Sequence, residues 1–256
     1  MYLSRHEMLM AIALLTLGLG SCDRSVTQPA SPSPSSSSVA ATVPPPPPTA
    51  IARAAANTLR QQGLDYRNQD RYDEAIAALQ KSVELDPSHP SGRVILGWTL
   101  HLAGRETDAA QQLKQALAQQ PTDVPALNAL GIVYLVSGDL IAAIQTHQQA
   151  VSLQPDNEIG YFNLSLAYQR LKRYPEAIAS AQRATQLEPE NPHPWIALAI
   201  AHWDNNENVL AQAAYQQAIR LNVRYRNAAM LDRLTLAGFS QDQIQLSETI
   251  RQAVVL

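Results

Sequence analysis

The chain has 256 residues, 46% of them hydrophobic, a length that suits one folded domain with tails. A net charge of -3 offers no basic field for nucleic acid, and the single cysteine, Cys22, excludes an intrachain disulfide and a CxxC metal site. With only 2 Phe and much Ala, Leu and Gln, the composition favours closely packed helices over strands.

The first element reads as an address. Arg5 and His6 precede an uncharged run from Met8 to Leu19, too short to span a bilayer but suited to the apolar region of a secretory signal. The run ends Leu19-Gly20-Ser21-Cys22, which resembles the bacterial lipobox. Small residues there admit the peptidase, and only a thiol can form the thioether to diacylglycerol. The resemblance implies that residues 1–21 are a lipoprotein signal peptide and that Cys22 becomes an acylated N-terminus. Such an anchor is stable, at roughly 0.8 kcal/mol per buried CH₂. Asp23 behind it resembles a signal for retention in the inner membrane. The implied address is the bacterial cell envelope, facing the periplasm or exterior, with the inner membrane favoured.

Residues 22–50 then read as the lipidated cysteine and a disordered Pro/Ser-rich tether. From Ser25 to Ala50 there is no charged residue and little large apolar surface to offset chain entropy. Pro44 to Pro48 favour a semi-rigid polyproline spacer of about 3.1 Å per residue. A spacer that lifts the domain off a membrane is the preferred reading, and a ligand for an aromatic groove the alternative.

The segment from residue 51 to 223 repeats. Pro87, Pro121, Pro155 and Pro189 stand 34 residues apart, as do Ala75, Ala109, Ala143, Ala177 and Ala211. A period of this length means a solenoid of stacked helical hairpins. Five units cover about 56–89, 90–123, 124–157, 158–191 and 192–225. Position 8 of the unit is small (Gly63, Gly97, Gly131, Ser165, Ala199), position 20 is always Ala, and position 27 is Ser or Ala. Large residues fill positions 4 and 11, with Arg93 an exception at position 4. At position 15, Gly104, Gly138 and Asn206 suit a left-handed turn, and Asp70 and Lys172 depart from that pattern. Val223 stands where the fifth proline would be, which predicts a less abrupt helix end.

These positions closely resemble the tetratricopeptide repeat (TPR) family. The resemblance implies an all-α, right-handed α-solenoid of five TPR helical hairpins. Residues 224–256 complete it as C-terminal capping helices. Met230, Leu231 and Leu234 predict one helix over 226–237, Gly238 ends it, and Ser240-Gln241-Asp242-Gln243 has the form of a capping box that opens another. Their expected task is to cover the exposed face of the last repeat.

No GxSxG, HExxH, P-loop or glycine-rich phosphate loop is present, and the histidines lie apart in different repeats. No catalytic, cofactor-binding or metal site is expected, and the chain reads as no enzyme. The TPR resemblance implies a partner-binding groove lined by the first helix of each hairpin at positions 2, 5, 6, 9, 12 and 13. Carried onto this chain, those positions give Arg60, Arg67, Trp98, Asn128, Phe162, Asn163, Arg170 and Trp203 as candidate groove residues. Ile132 and Leu166 read as packing, whereas Trp98, Phe162 and Trp203 are bulkier than packing requires. Leu64 and Ala129 stand where a carboxylate clamp would need asparagine, so that reading fails.

The expected function is a membrane-anchored scaffold or adaptor that binds protein or peptide segments in assembling an envelope complex. Anchor plus repeats resemble TPR lipoproteins that assist pilus or outer-membrane-protein assembly. The alternatives are an accessory or substrate-docking subunit of an envelope enzyme, and a self-associating oligomer.

Overall fold

The computed structural model describes residues 48–255. The lipobox, Cys22, Asp23 and most of the Pro/Ser segment therefore lie outside the described residues. Thr49 opens the array: its hydroxyl accepts the Ala52 N–H at 3.2 Å and caps the first helix.

Ten helices follow as five antiparallel pairs. They are α1 (Ala50–Asn68) with α2 (Tyr72–Leu85), α3 (Pro90–Leu102) with α4 (Glu106–Gln119), and α5 (Val124–Ser137) with α6 (Leu140–Leu153). The last two pairs are α7 (Glu158–Arg170) with α8 (Tyr174–Leu187), and α9 (Pro192–Asp204) with α10 (Asn208–Leu221). Two 3₁₀ helices, Val223–Arg226 and Ala228–Ala237, lead to α11 (Gln241–Val255). There is no strand among the described residues.

The small-residue register explains why the pairs close so tightly. All five alanines at position 20 are fully buried. In the first three pairs the glycine at position 8 faces position 24 of the partner helix, and a Cβ at Gly131 would collide with the His147 ring. Between successive pairs, side chains of the second helices reach back to the repeat proline. Gln119 donates to the Pro87 carbonyl at 3.0 Å, Gln149 to Pro121 at 3.2 Å and Arg183 to Pro155 at 3.3 Å.

The turns inside the pairs are more uniform than their residues. Gly104 and Gly138 have positive φ, and so do Asp70 (57°), Lys172 (60°) and Asn206 (63°). The departure of Asp70 and Lys172 is thus one of residue type and not of conformation. In both turns two backbone bonds enforce the left-handed geometry. Arg71 N–H reaches the Tyr66 carbonyl and Asp70 N–H the Arg67 carbonyl, as Arg173 and Lys172 do for Tyr168 and Gln169.

Two expectations need correction at the C-terminal end. Helix α10 stops at Leu221, the same unit position as its four predecessors, although Val223 replaces proline. Asn222 supplies the stop: its backbone is extended and its side chain accepts the Arg224 N–H at 3.2 Å. The segment after it is a 3₁₀ helix over 228–237, whose buried residues Leu231, Leu234 and Ala237 fall at strict three-residue spacing. Gly238 (φ 86°) then turns the chain into α11. The capping box forms, with Ser240 N–H donating to Gln243 Oε1 at 2.9 Å and Gln243 N–H to Ser240 Oγ at 3.4 Å.

Candidate protein-binding face

The first helices of the pairs, α1, α3, α5, α7 and α9, carry the inner face, and the unit register shows how it is covered. At position 9, Leu64, Trp98 and Ile132 are half-buried, whereas Leu166 and Ile200 are each 1% exposed. At position 12, Leu135 is fully buried, whereas Arg67, His101, Gln169 and Trp203 are half-buried. At position 9 the face is thus open over the first repeats and covered over the last two.

The cover is the chain's own C-terminal segment. Phe239 lies against Phe162, with ring centroids 5.7 Å apart. Gly238 packs beside Leu135, Asn163 and Leu166. The Gln243 amide nitrogen donates to the Leu166 carbonyl at 3.2 Å and to Gln169 Oε1 at 2.7 Å, and Gln169 donates onward to Asp204 at 2.7 Å. Arg170 donates to the Leu135 carbonyl at 2.7 Å, a second bond beside that of the Gly138 N–H at the end of α5. Burial holds its guanidinium below the ordinary value, and the Asp242 carboxylate of the docked segment opposes that. The segment also covers the last repeat, where Tyr215 donates to the Tyr225 carbonyl and the Tyr225 hydroxyl meets His193 at 2.8 Å.

The eight candidate residues therefore separate. Phe162, Asn163 and Arg170 are brought together, beneath the C-terminal segment. Asn128 is 6% exposed and exchanges two amide hydrogen bonds with Asn157, at 3.1 and 2.9 Å. Asn157 in turn caps α7. Asn163 is 4% exposed and donates to the Ile159 carbonyl at 2.9 Å. The Asn128 amide links two repeats and the Asn163 amide bonds within its own helix, so the expected place of both on an accessible groove is corrected. Trp203 is half-buried against the core of the later repeats.

Arg60, Arg67 and Trp98 remain in the open part. Trp98 tilts against His101 with ring centroids 4.9 Å apart, and His101 holds Glu106 at 2.8 Å. Arg60 Nη1 is shared between Asn57 and His89, while its buried Nε and Nη2 have no acceptor. Burial lowers the Arg60 value, opposed by Asp86, and likewise that of Arg67, opposed by Tyr72. A cationic, partly apolar surface of this kind suits the docking of another polypeptide.

The family model for the Psidin N-terminal TPR repeats region matches residues 64–229. The chain is a tetratricopeptide-repeat protein. Repeats of this family generally serve as non-catalytic scaffolds that bind proteins. No curated protein matches the sequence. Among solved structures, pilF of Pseudomonas aeruginosa is 21% identical, over 78% of this chain and 90% of that one, with a TM-score of 0.62. MamA is 22% identical over 66% of this chain and 93% of its own, TM-score 0.59. MamA from Desulfovibrio magneticus RS-1, residue 41 to the end, is 20% identical over 66% and 96%, TM-score 0.61. At such identities the likeness is one of TPR fold.

Sequence reasoning placed Asp242 and Gln243 in a capping box, but it missed Phe239 and the contact of this segment with the inner face. The 34-residue register finds the inner face but says nothing of a non-repeating segment laid across it. A signal was present in the apolar Phe239 just ahead of the capping box.

Proposed function

We propose that this chain is a membrane-anchored scaffold of the bacterial cell envelope. It is acylated at Cys22 and holds segments of partner proteins on the inner face of its first two repeats. The observation that carries the reading is the half-buried surface around Trp98, flanked by Arg60 and Arg67, while Phe162 farther along the same face is met by Phe239 of the chain's own C-terminal segment. Aromatic residues in such grooves are the usual binding hot spots. Leu19-Gly20-Ser21-Cys22 supports the anchor, and Asp23 favours the inner membrane.

Two measurements test the two halves. Labelling with a clickable fatty acid, followed by membrane fractionation, compares wild type with Cys22→Ala, and equal label in both would refute the anchor. Co-purification from detergent-solubilised membranes compares wild type with Trp98→Ala. The variant is expected to lose a multiprotein assembly that wild type retains. Recovery of the same assembly by both would move the binding face elsewhere, and recovery of a single enzyme would make the chain its accessory subunit.

A further inference from the structure

Four arginines are neutralised by an acid three residues away. Arg71 pairs with Glu74, Arg105 with Asp108, Arg173 with Glu176 and Arg251 with Glu248, at 2.6–2.9 Å. The segment that closes the last repeat departs from this. Arg220, Arg226 and Arg233 are exposed there, and among the described residues no ion pair holds any of them. With Arg224 they make four arginines over residues 208–241, against Asp232 as the single acid. The chain is acidic as a whole, and this end of it is locally basic.

The 3₁₀ geometry sets what stands beside these charges, because side chains three residues apart eclipse in such a helix. Tyr225 takes the buried side of the first 3₁₀ helix, and Leu231, Leu234 and Ala237 that of the second. On the exposed sides Arg226 eclipses Val223, which is 66% exposed, and Arg233 eclipses Leu236, which is 49% exposed. Each 3₁₀ helix thus presents a cation beside an aliphatic group, and the two helices pack on each other. An acidic protein patch has use for the cations alone. The boundary of an anionic bilayer takes both, with phosphate for the guanidinium and the acyl region for the aliphatic group.

Residues 22 to 48 span at most about 90 Å even fully extended, so an acyl group on Cys22 keeps the domain beside one bilayer. We infer that the C-terminal segment docks on anionic phospholipid headgroups through Arg220, Arg226 and Arg233, with Val223 and Leu236 entering the interface. This rests on the Cys22 anchor of the proposed function. It adds a second contact with the same membrane, which fixes the end of the array that faces the bilayer.

The full-length Cys22→Ala chain is the test protein, because it lacks the acyl group whether or not wild type carries one. Failure here leaves the anchor standing, and the fatty-acid label tests that separately. Co-sedimentation compares phosphatidylcholine vesicles with vesicles that also hold about 30 mol% phosphatidylglycerol, at about 0.1 M salt. Saturable binding that requires phosphatidylglycerol is expected. Arg226→Gln with Arg233→Gln should lower the partitioning about 25-fold, roughly fivefold for each charge. Arg226→Lys with Arg233→Lys should keep it, and thermal melts confirm that each variant is folded. Absence of binding, or equal binding to both kinds of vesicle through the apolar run from Met8 to Leu19, overturns the inference. So does a Gln pair that binds like its parent, or a Lys pair that loses as much as the Gln pair. Sedimentation velocity without vesicles covers the remaining case. Self-association that disappears in the Gln pair, with no vesicle binding, makes the patch an interface between copies and overturns the inference as well.

Discussion

The ring of Phe239 lies 5.7 Å from that of Phe162, with the planes inclined at 57°, so an inner-face aromatic of the fourth repeat is covered by the end of its own chain. Phe239 is 4% exposed and Ile244, five residues on, is 7% exposed, the pairing of a hydrophobic staple around the Ser240 cap. Truncation at Phe239 therefore opens a cavity on the inner face as well as weakening a helix start. Phe239→Ala is expected to cost about 3–5 kcal/mol, read by urea or thermal unfolding. A loss well below 1 kcal/mol would mean that the segment rests on the array without supporting it.

The same contact marks where the sequence stops being informative. Helix pairing, the buried alanines at position 20 and the inner-face register all follow from a period that five copies report together. Asn128 could not be placed that way, because its role depends on Asn157, the cap of the next first helix, and position 5 holds a different residue type in each repeat. Phe162 and Arg170 were legible as inner-face residues. Their covering was not, since Phe239 and Asp242 belong to a single copy with no repeat to align against.

Lys172 holds a left-handed backbone, φ 60°, at a position where Gly104 and Gly138 do so without a Cβ. The conformation costs a non-glycine residue about 1–2 kcal/mol. Lys172→Gly should therefore stabilise the protein by about 1 kcal/mol, the greater freedom of unfolded glycine cancelling part of the gain. A lowered melting temperature would show that the Lys172 side chain contributes more than its backbone costs.

His147 is fully buried, with neither ring nitrogen hydrogen-bonded, at a unit position filled by Leu79 and Leu113 in earlier repeats. Burial pushes its pKa down from 6.5 to about 3. The folded protein therefore keeps this ring neutral while the unfolded chain takes up a proton below about pH 6.5. Stability from this residue is complete above that pH and falls as the pH drops toward 3, by about 1.4 kcal/mol per unit. His193, lowered to about 4 by burial, acts in the same direction. His147→Leu should stabilise the protein by about 2 kcal/mol more at pH 5 than at pH 7.5, leaving a residual slope from His193. Unfolding curves at the two pH values decide this, and equal effects at both would place the proton elsewhere.

Ala143 is fully buried at the middle of the array. Ala143→Leu inserts three heavy atoms where two helix backbones meet and should cost about 1–3 kcal/mol through overpacking. Exposed Gln145, on the opposite side of α6 from that seam, serves as the control, and a change there should leave the melting temperature nearly unaltered.

Trp98 and Phe162 were expected to act together, yet they occupy different surroundings. Both are half-buried and each packs against a hydrophobic core, but Phe162 faces Phe239 of the C-terminal segment, whereas Trp98 has His101 of its own helix as its ring neighbour. Phe162→Ala should thus behave as a packing mutation, with a loss of about 3 kcal/mol or more. Trp98→Ala should cost less, because its ring neighbour lies on its own helix and no tie to the C-terminal segment is lost, and should act mainly on binding, where truncation of a groove aromatic removes about 2 kcal/mol or more. Thermal melts and co-purification, run on the two single variants in parallel, separate the roles. A Trp98→Ala protein that melts as low as Phe162→Ala while retaining its partner would make Trp98 packing as well. The binding face would then have to be sought on the second helices of the pairs, where Ile141, Leu153, Val209 and Leu210 are exposed apolar side chains.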